Sequence, residues 1–293
     1  MNRFFEKFLL GCAWASALLL VTTIFCIVGY LIIKGAETLN LKLIFGNTDP
    51  VDALLLKRQV FDGLFPAIVG TLLLVLLSVV WAIPVGIASG IYLAEYAGKK
   101  INRALNLLLD ILAGIPSIVV GLFGFSVALV LHKHFSEDIY PCLLISSLAL
   151  ALLVLPYIVR TTQVSLENLS SETRLTALAL GATKLQNIFY VLIPKSLSGI
   201  ASGVILAIGR CAEDTAVIML TGVVATAGVP HSVFANYEAL PFYIYYISAQ
   251  YADRQELLTG YGAAIILLTL CVILFFSAFV IKKQLAYYSL YRT

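Results

Sequence analysis

Six stretches of this chain are long and apolar enough to cross a bilayer, and they limit what it can fold into more than any other feature. A span needs about 20 mostly apolar residues to cover a hydrocarbon core of roughly 30 Å. The stretches run over about 8–33, 64–94, 104–131, 140–160, 197–222 and 260–281. The first lies between Lys7 and Lys34. It is too long for a signal-peptide core and lacks a small-residue cleavage site, so it reads as a retained anchor. Lipid offers backbone amides no partner, which leaves helices or closed barrels. Barrel strands alternate apolar and polar residues, and the run over 71–80 (TLLLVLLSVV) does not. The expected fold class is all-α integral membrane, with six transmembrane helices in a lipid bilayer.

Composition supports this and removes other classes. The chain is 61% hydrophobic and 12% charged, against about 45–50% and 25% for soluble domains. A soluble enzyme, a disordered regulator and a nucleic-acid-binding domain are excluded. A net charge of +3 is too balanced for a polyanion binder, so no nucleic acid is expected as a partner. The five cysteines (Cys12, Cys26, Cys142, Cys211, Cys271) lie in apolar segments without metal-ligand spacing. They read as small hydrophobes, and neither a metal nor a cofactor is expected.

Lys and Arg set the orientation. One side carries 12 of them: Arg3, Lys7, Lys99, Lys100, Arg103, Arg160, Arg174, Lys184, Lys195, Lys282, Lys283 and Arg292. The other carries 6: Lys34, Lys42, Lys57, Arg58, Lys133 and Arg254. Both termini are therefore expected in the cytoplasm, in a multi-pass protein of the cytoplasmic (inner) membrane. The pairs Gly86/Gly90 and Gly199/Gly203 suit close helix packing. Pro84 and Pro116 are expected to kink their spans. His132, His134 and His231 fall on the external side and read as solvated loop residues.

The segment 205–222 (ILAIGRCAEDTAVIMLTG) holds three charges: Arg210, Glu213 and Asp214. Arg210 lies roughly 20 Å along its span from Leu197 at about 1.5 Å per residue, where a charge costs about 2.5–3.5 kcal/mol on insertion scales. Spacings of three and four residues put both acids on the Arg210 face. Two readings stand: a salt bridge fixing helix packing, or a water-accessible path on which Arg210 contacts an anion. Thr215 and Thr221 would add hydroxyls to such a path. Asp110 reads as a counter-charge for Arg103 or Lys99, or as a second path residue. Gly114-Ile115-Pro116-Ser117 breaks the helical pattern nearby.

The segment at about 161–196 is the longest expected on the cytoplasmic side. Apolar spacing predicts an amphipathic helix over Ser165–Leu180, with Ser171 capping its second half. Gly181 reads as a turn, and Thr183 as the cap of a helix starting near Lys184. Pro194 ends the stretch. It is either a helix lying on the membrane or a docking element for a soluble partner.

This loop resembles that of the ATP-binding-cassette importer permeases. Their pattern is Glu-Ala-Ala, three residues, Gly, nine residues, then Ile-x-Leu-Pro. Here it reads Leu175-Thr176-Ala177, Gly181 and Val191-Leu192-Ile193-Pro194. Leu175 stands at the Glu position and Thr176 at the first Ala. Gly209-Arg210 with Asp214-Thr215-Ala216 resembles the Gly-Arg-x-x-Gly-Glu-Thr-Ala run of A-type (PstA-type) phosphate permeases, with Glu213 at a Gly position. Also similar are 66–71 (PAIVGT), 92–96 (YLAEY), 114–119 (GIPSIV), and Leu240-Pro241 before Ile244-Tyr245.

The resemblance implies a type I ABC importer permease. Residues 1–59 would be an N-terminal helix with an external segment, and 60–293 the permease domain with a coupling loop at about 161–196. It implies translocation of inorganic phosphate, with Arg210, Glu213, Asp214 and Thr215 on the substrate path. Leu175, Thr176, Ala177, Gly181 and Pro194 would couple to the ATPase. No Gly-x-x-x-x-Gly-Lys-Ser/Thr loop occurs, so a separate ATPase must hydrolyse ATP. The implied partners are a second, C-type permease subunit, an ATP-binding subunit dimer and an external phosphate-binding protein. Import of another oxyanion (phosphonate, sulfate), an ion-coupled secondary transporter and a non-transporting scaffold or sensor are the alternatives.

Overall fold

The computed structural model describes residues 3–55, 57, 59–134 and 140–291; Arg58 and Arg292, both counted in the charge asymmetry, lie outside them. The elements run in order α1 (Arg3–Gly35), α2 (Leu41–Phe45), α3 (Pro50–Leu54), α4 (Phe65–Glu95), α5 (Lys99–Gly114), α6 (Ser117–His134) and α7 (Leu143–Glu167). Then come α8 (Ser171–Ala179), α9 (Lys184–Asn187), α10 (Ile193–Glu213), α11 (Ala216–Thr221), α12 (Leu240–Gln250) and α13 (Arg254–Tyr291). A π-helical segment, Ile188–Leu192, joins α9 to α10. Six helical segments meet the length and hydropathy of a span: Phe5–Thr38, Phe65–Glu95, Ser117–His134, Leu143–Glu167, Lys184–Glu213 and Arg254–Gln284.

The centre is α7, packed between α4 and α10. Without a hydrophobic driving force between helices in lipid, close backbone approach is what holds such a pair. Gly86 and Gly90 supply it toward α7: a Cβ at Gly86 would lie 2.7 Å from Ile158 Cγ2, and one at Gly90 2.8 Å from the Val159 carbonyl oxygen. Gly199 and Gly203 do the same for α10, against Ser165 and Thr161 of α7. These two contacts also fix α7 and α10 as antiparallel, because the α7 numbers fall as the α10 numbers rise. Leu150, Val154, Ile158 and Ala207 are fully buried in this core. By contrast, α1 packs along α13 and leaves most of its remaining apolar surface exposed, as a lipid-facing helix does.

The structure corrects several local expectations. The third span is not continuous over 104–131. Pro116 forces Ile115 into an extended conformation (φ −70°, ψ 129°), because the proline ring clashes with a helical residue before it. The amphipathic α5 therefore ends at Gly114, and the apolar α6 starts afresh. Pro116 thus separates two helices instead of kinking one, whereas Pro84 does lie inside α4. The fifth span ends at Glu213, not at 222. In the 161–196 segment, α7 continues to Glu167 and α8 is capped by Ser170, whose Oγ accepts from the Thr173 N–H at 3.3 Å. Thr183 does cap α9, within a reciprocal box with Gln186. Pro194 lies in the first turn of α10, where a missing N–H is tolerated.

Candidate functional site

The site forms where a long helix stops short. Asp214 leaves the helical region (φ −75°, ψ 117°) and ends α10. Its Oδ1 accepts the Val217 N–H at 2.9 Å and so caps the short α11. The same carboxylate turns Oδ2 toward Arg210, 3.8 Å from Nη2. Arg210 sits in the last turn of α10, where the helix dipole favours a cation, and donates from Nη1 to Glu213 Oε1 at 3.0 Å.

The three charges differ in access. The Asp214 side chain is 3% exposed, Arg210 38% and Glu213 63%. Asp214 is thus held by a backbone cap and a guanidinium, while Glu213 is free to swing away. The acids that the sequence placed together on the Arg210 face have separate jobs in space. The Arg210 Nε is buried without a hydrogen-bond partner among the described residues.

Thr215 is half-buried, and the α11 cap comes from Asp214 and not from its hydroxyl. Thr221 is fully buried, with Oγ1 2.9 Å from the Val217 carbonyl and from Ser146 Oγ, and it accepts from Ser146 at its own carbonyl. It belongs to the packing between α11 and α7, not to a path. Gly121 and Gly124 let α11 approach α6: a Cβ at Gly121 would lie 3.0 Å from the Ala216 carbonyl.

A second cluster lies at the end of the bundle that carries α8. Leu175 (60% exposed), Leu178, Leu180 and Leu185 form an apolar surface there. Thr176 donates to the Glu172 carbonyl at 2.6 Å. Gly181 adopts φ +87°, which favours glycine, and turns the chain between α8 and α9. Ala177 receives the Ala182 N–H at its carbonyl, at 3.0 Å. Pro194 stands three turns further on, at the foot of α10.

Sequence reading missed what holds this cluster to the bundle. Arg174 forms an ion pair with Glu95 at the end of α4 and also donates to the Leu166 carbonyl. Asn187 donates to the Arg174 carbonyl at 2.8 Å. Lys184 donates to the Glu95 carbonyl, and its ammonium lies 4.2 Å from the Tyr96 ring centroid. The only linear signal was the YLAEY run, noted above without a partner.

The remaining candidates disperse. Asp110 makes no ion pair among the described residues; Arg103 is seven residues away, roughly 10 Å along α5. His132 packs on Tyr140, His134 lies 3.1 Å from the Val130 carbonyl, and His231 meets Gln59. Among the described residues no group of three or more His, Cys, Asp or Glu could hold a metal ion. At the end opposite α8, Glu238 is 5% exposed and accepts the Ala227 and Gly228 N–H groups at 2.8 Å. Burial pushes its carboxyl above the ordinary value, and the two amides only partly offset that.

Residues 82–286 match the family model described as binding-protein-dependent transport system inner membrane component. The chain belongs to this family. The phosphate transport system permease protein PstA of Yersinia pestis is 33% identical over 243 residues, spanning 82% of this chain and 77% of that protein. PstA of Haemophilus influenzae is 30% identical over 281 residues, spanning 95% of each. A crystal structure of a bacterial alginate ABC transporter, in complex with an alginate pentasaccharide-bound periplasmic protein, superposes with a TM-score of 0.66 at 16% identity, over 97% of this chain and 99% of that one. That likeness shows the fold: an all-α bundle with six helices of spanning length among the described residues. The protein is a multi-pass membrane permease.

Proposed function

We propose that the chain is the A-type permease subunit of an ATP-driven importer that carries inorganic phosphate inward. The observation that carries this reading is Arg210, a half-exposed guanidinium at a helix break in a chain whose relatives are named phosphate permeases. Arg210, Glu213, Asp214 and Thr215 line the path. Glu213 gives way to phosphate on Arg210, and Asp214 keeps the guanidinium in place once phosphate has left. The contact is transient by design, since a tight site would trap the anion.

The basic side, with α8 and both termini, faces the cytoplasm. There a dimer of ATP-binding subunits docks on the surface around Leu175, Thr176, Ala177 and Gly181, with Pro194 setting the foot of α10. Closing of that dimer on ATP moves α8, and the ties from Arg174 and Lys184 pass the motion to α4. A near-complete switch between two states takes about 5.5 kcal/mol of differential binding, which the ATPase partner supplies. A C-type permease subunit completes the path, and an external phosphate-binding protein delivers the substrate. Residues 60–293 form the permease domain, and 1–59 add an N-terminal helix and external segment.

Labelled phosphate uptake by the assembled transporter tests this. Arg210→Gln should lower uptake by roughly 10- to 100-fold, the loss of one charge-assisted contact of about 1.5–3 kcal/mol. Excess sulfate or phosphonate should leave wild-type uptake unchanged. Normal uptake by the variant would make Arg210 a packing residue. Competition by either anion would move the substrate to another oxyanion.

A further inference from the structure

We infer that Arg160 is a second anion-contacting residue on the path, closer to the α8 end than Arg210, which receives phosphate after it leaves Arg210. This rests on the phosphate-import reading above and adds a step to it.

The register of α7 against α10 locates it. Ser165 meets Gly199 and Thr161 meets Gly203. Continuing one turn brings Tyr157 to the level of Ala207, and Tyr157 lies within electrostatic reach of Arg210. Arg160 follows Tyr157 by three residues and so shares its side of α7. Its level on α10 is that of residue 204, six residues short of Arg210. At about 1.5 Å per residue, the two guanidinium-bearing positions differ in depth by roughly 9 Å.

This side of α7 is open. Arg160 and Val164 are exposed and Tyr157 is half-buried. The helix α7 packs against both α10 and α5. Across the gap Arg160 Nη1 donates to Asn106 Oδ1 at 2.6 Å. Asn106 donates to Asn102 Oδ1 at 2.5 Å, and Asn102 to the Leu93 carbonyl at 2.9 Å. The amides hold the guanidinium by one of its five donors.

No carboxylate pairs with Arg160 among the described residues; Asp110, one turn from Asn106 on α5, forms no ion pair. An oriented guanidinium without a carboxylate partner and with free donors suits an oxyanion such as phosphate, two of whose oxygens can accept from its forked N–H groups. Two cations about 9 Å apart let the second attract the anion while the first still holds it, which keeps either contact from becoming a trap.

The competing role is a strap that ties α5 to α7, and Asn106 separates the two. Labelled phosphate uptake would be measured in vesicles containing the complete transporter, with assembly followed by co-purification. Arg160→Gln should lower the maximal rate roughly ten-fold and leave the external phosphate concentration for half-maximal uptake unchanged. Arg160→Lys, which keeps the charge but not the forked donors, should recover part of the rate, and Asn106→Ala should stay within about two-fold of wild type. The proposal is overturned if Arg160→Gln transports normally, if it fails to assemble, or if Asn106→Ala matches it and Lys gives no rescue. If the wild type carries a different oxyanion and not phosphate, the substrate reading fails alone, and the same variants tested with that anion decide the role of Arg160. If it carries no anion, both fall.

Discussion

Removing the Arg174 guanidinium should loosen α8 from the bundle without disturbing the spans. Arg174 pairs with Glu95, whose side chain is only 11% exposed, and donates as well to the Leu166 carbonyl. Breaking a fully buried pair costs about 3–5 kcal/mol, because it strands the remaining charge. The Arg174 side chain is 25% exposed, so water compensates in part and the expected cost is about 2 kcal/mol. It should appear as local opening, since α8 has no buried residue of its own. In the assembled transporter, Arg174→Gln should speed hydrogen exchange of the α8 amides roughly thirty-fold, at about 1.4 kcal/mol per factor of ten. Exchange in the core of α7 should not change. Adding Glu95→Gln should recover part of the protection, because the stranded carboxylate is gone. ATP hydrolysis should continue while phosphate uptake falls, since docking survives and the tie to α4 does not. Unchanged α8 exchange in Arg174→Gln, or no recovery in the double variant, would refute the reasoning.

Asp214→Ala should cut transport and thermal stability together, because it removes both the α11 cap and the buried partner of Arg210; Asp214→Asn keeps the Val217 acceptor and should keep most of the stability. Cap removal alone is worth about 1 kcal/mol, and equal melting temperatures for the two variants would show that the cap contributes nothing. Glu238 gives a pH dependence of defined sign. Its folded pKa lies above the ordinary 4.5, so the folded state holds more protons between those values. Its contribution is therefore complete below the ordinary value and is lost as pH rises through the folded one. Thermal unfolding across that window should show stability falling with pH, and Glu238→Gln, which keeps the acceptor for Ala227 and Gly228, should flatten the slope. A slope of opposite sign would mean that the two amides outweigh burial.

Much of the protein is local in its sequence. Long apolar runs need no distant partner to become helices in lipid, so the six spans and their number followed directly. The α9 cap was readable because Thr183 and Gln186 are three residues apart. The ion pairs of Arg210 were readable for the same reason: helical spacing brings i+3 and i+4 together. The Ile115–Pro116 break was visible as a pattern, and its effect as a full separation of α5 from α6 follows from proline sterics.

Only the tertiary structure decided the rest, because those contacts join residues far apart in the chain. Glu95 and Arg174 are 79 positions apart, and Asn106 and Arg160 are 54 apart. The end of α10 at Glu213 depends on Asp214 giving one oxygen to a new helix, and that helix is stable where Gly121 and Gly124 make room for it. Apolar residues resume at Ala216 beyond the charged break, so the segment read as one span to 222. The sequence determined that charges lie within the membrane. Packing decided how exposed each of them is, since exposure depends on what the other helices cover.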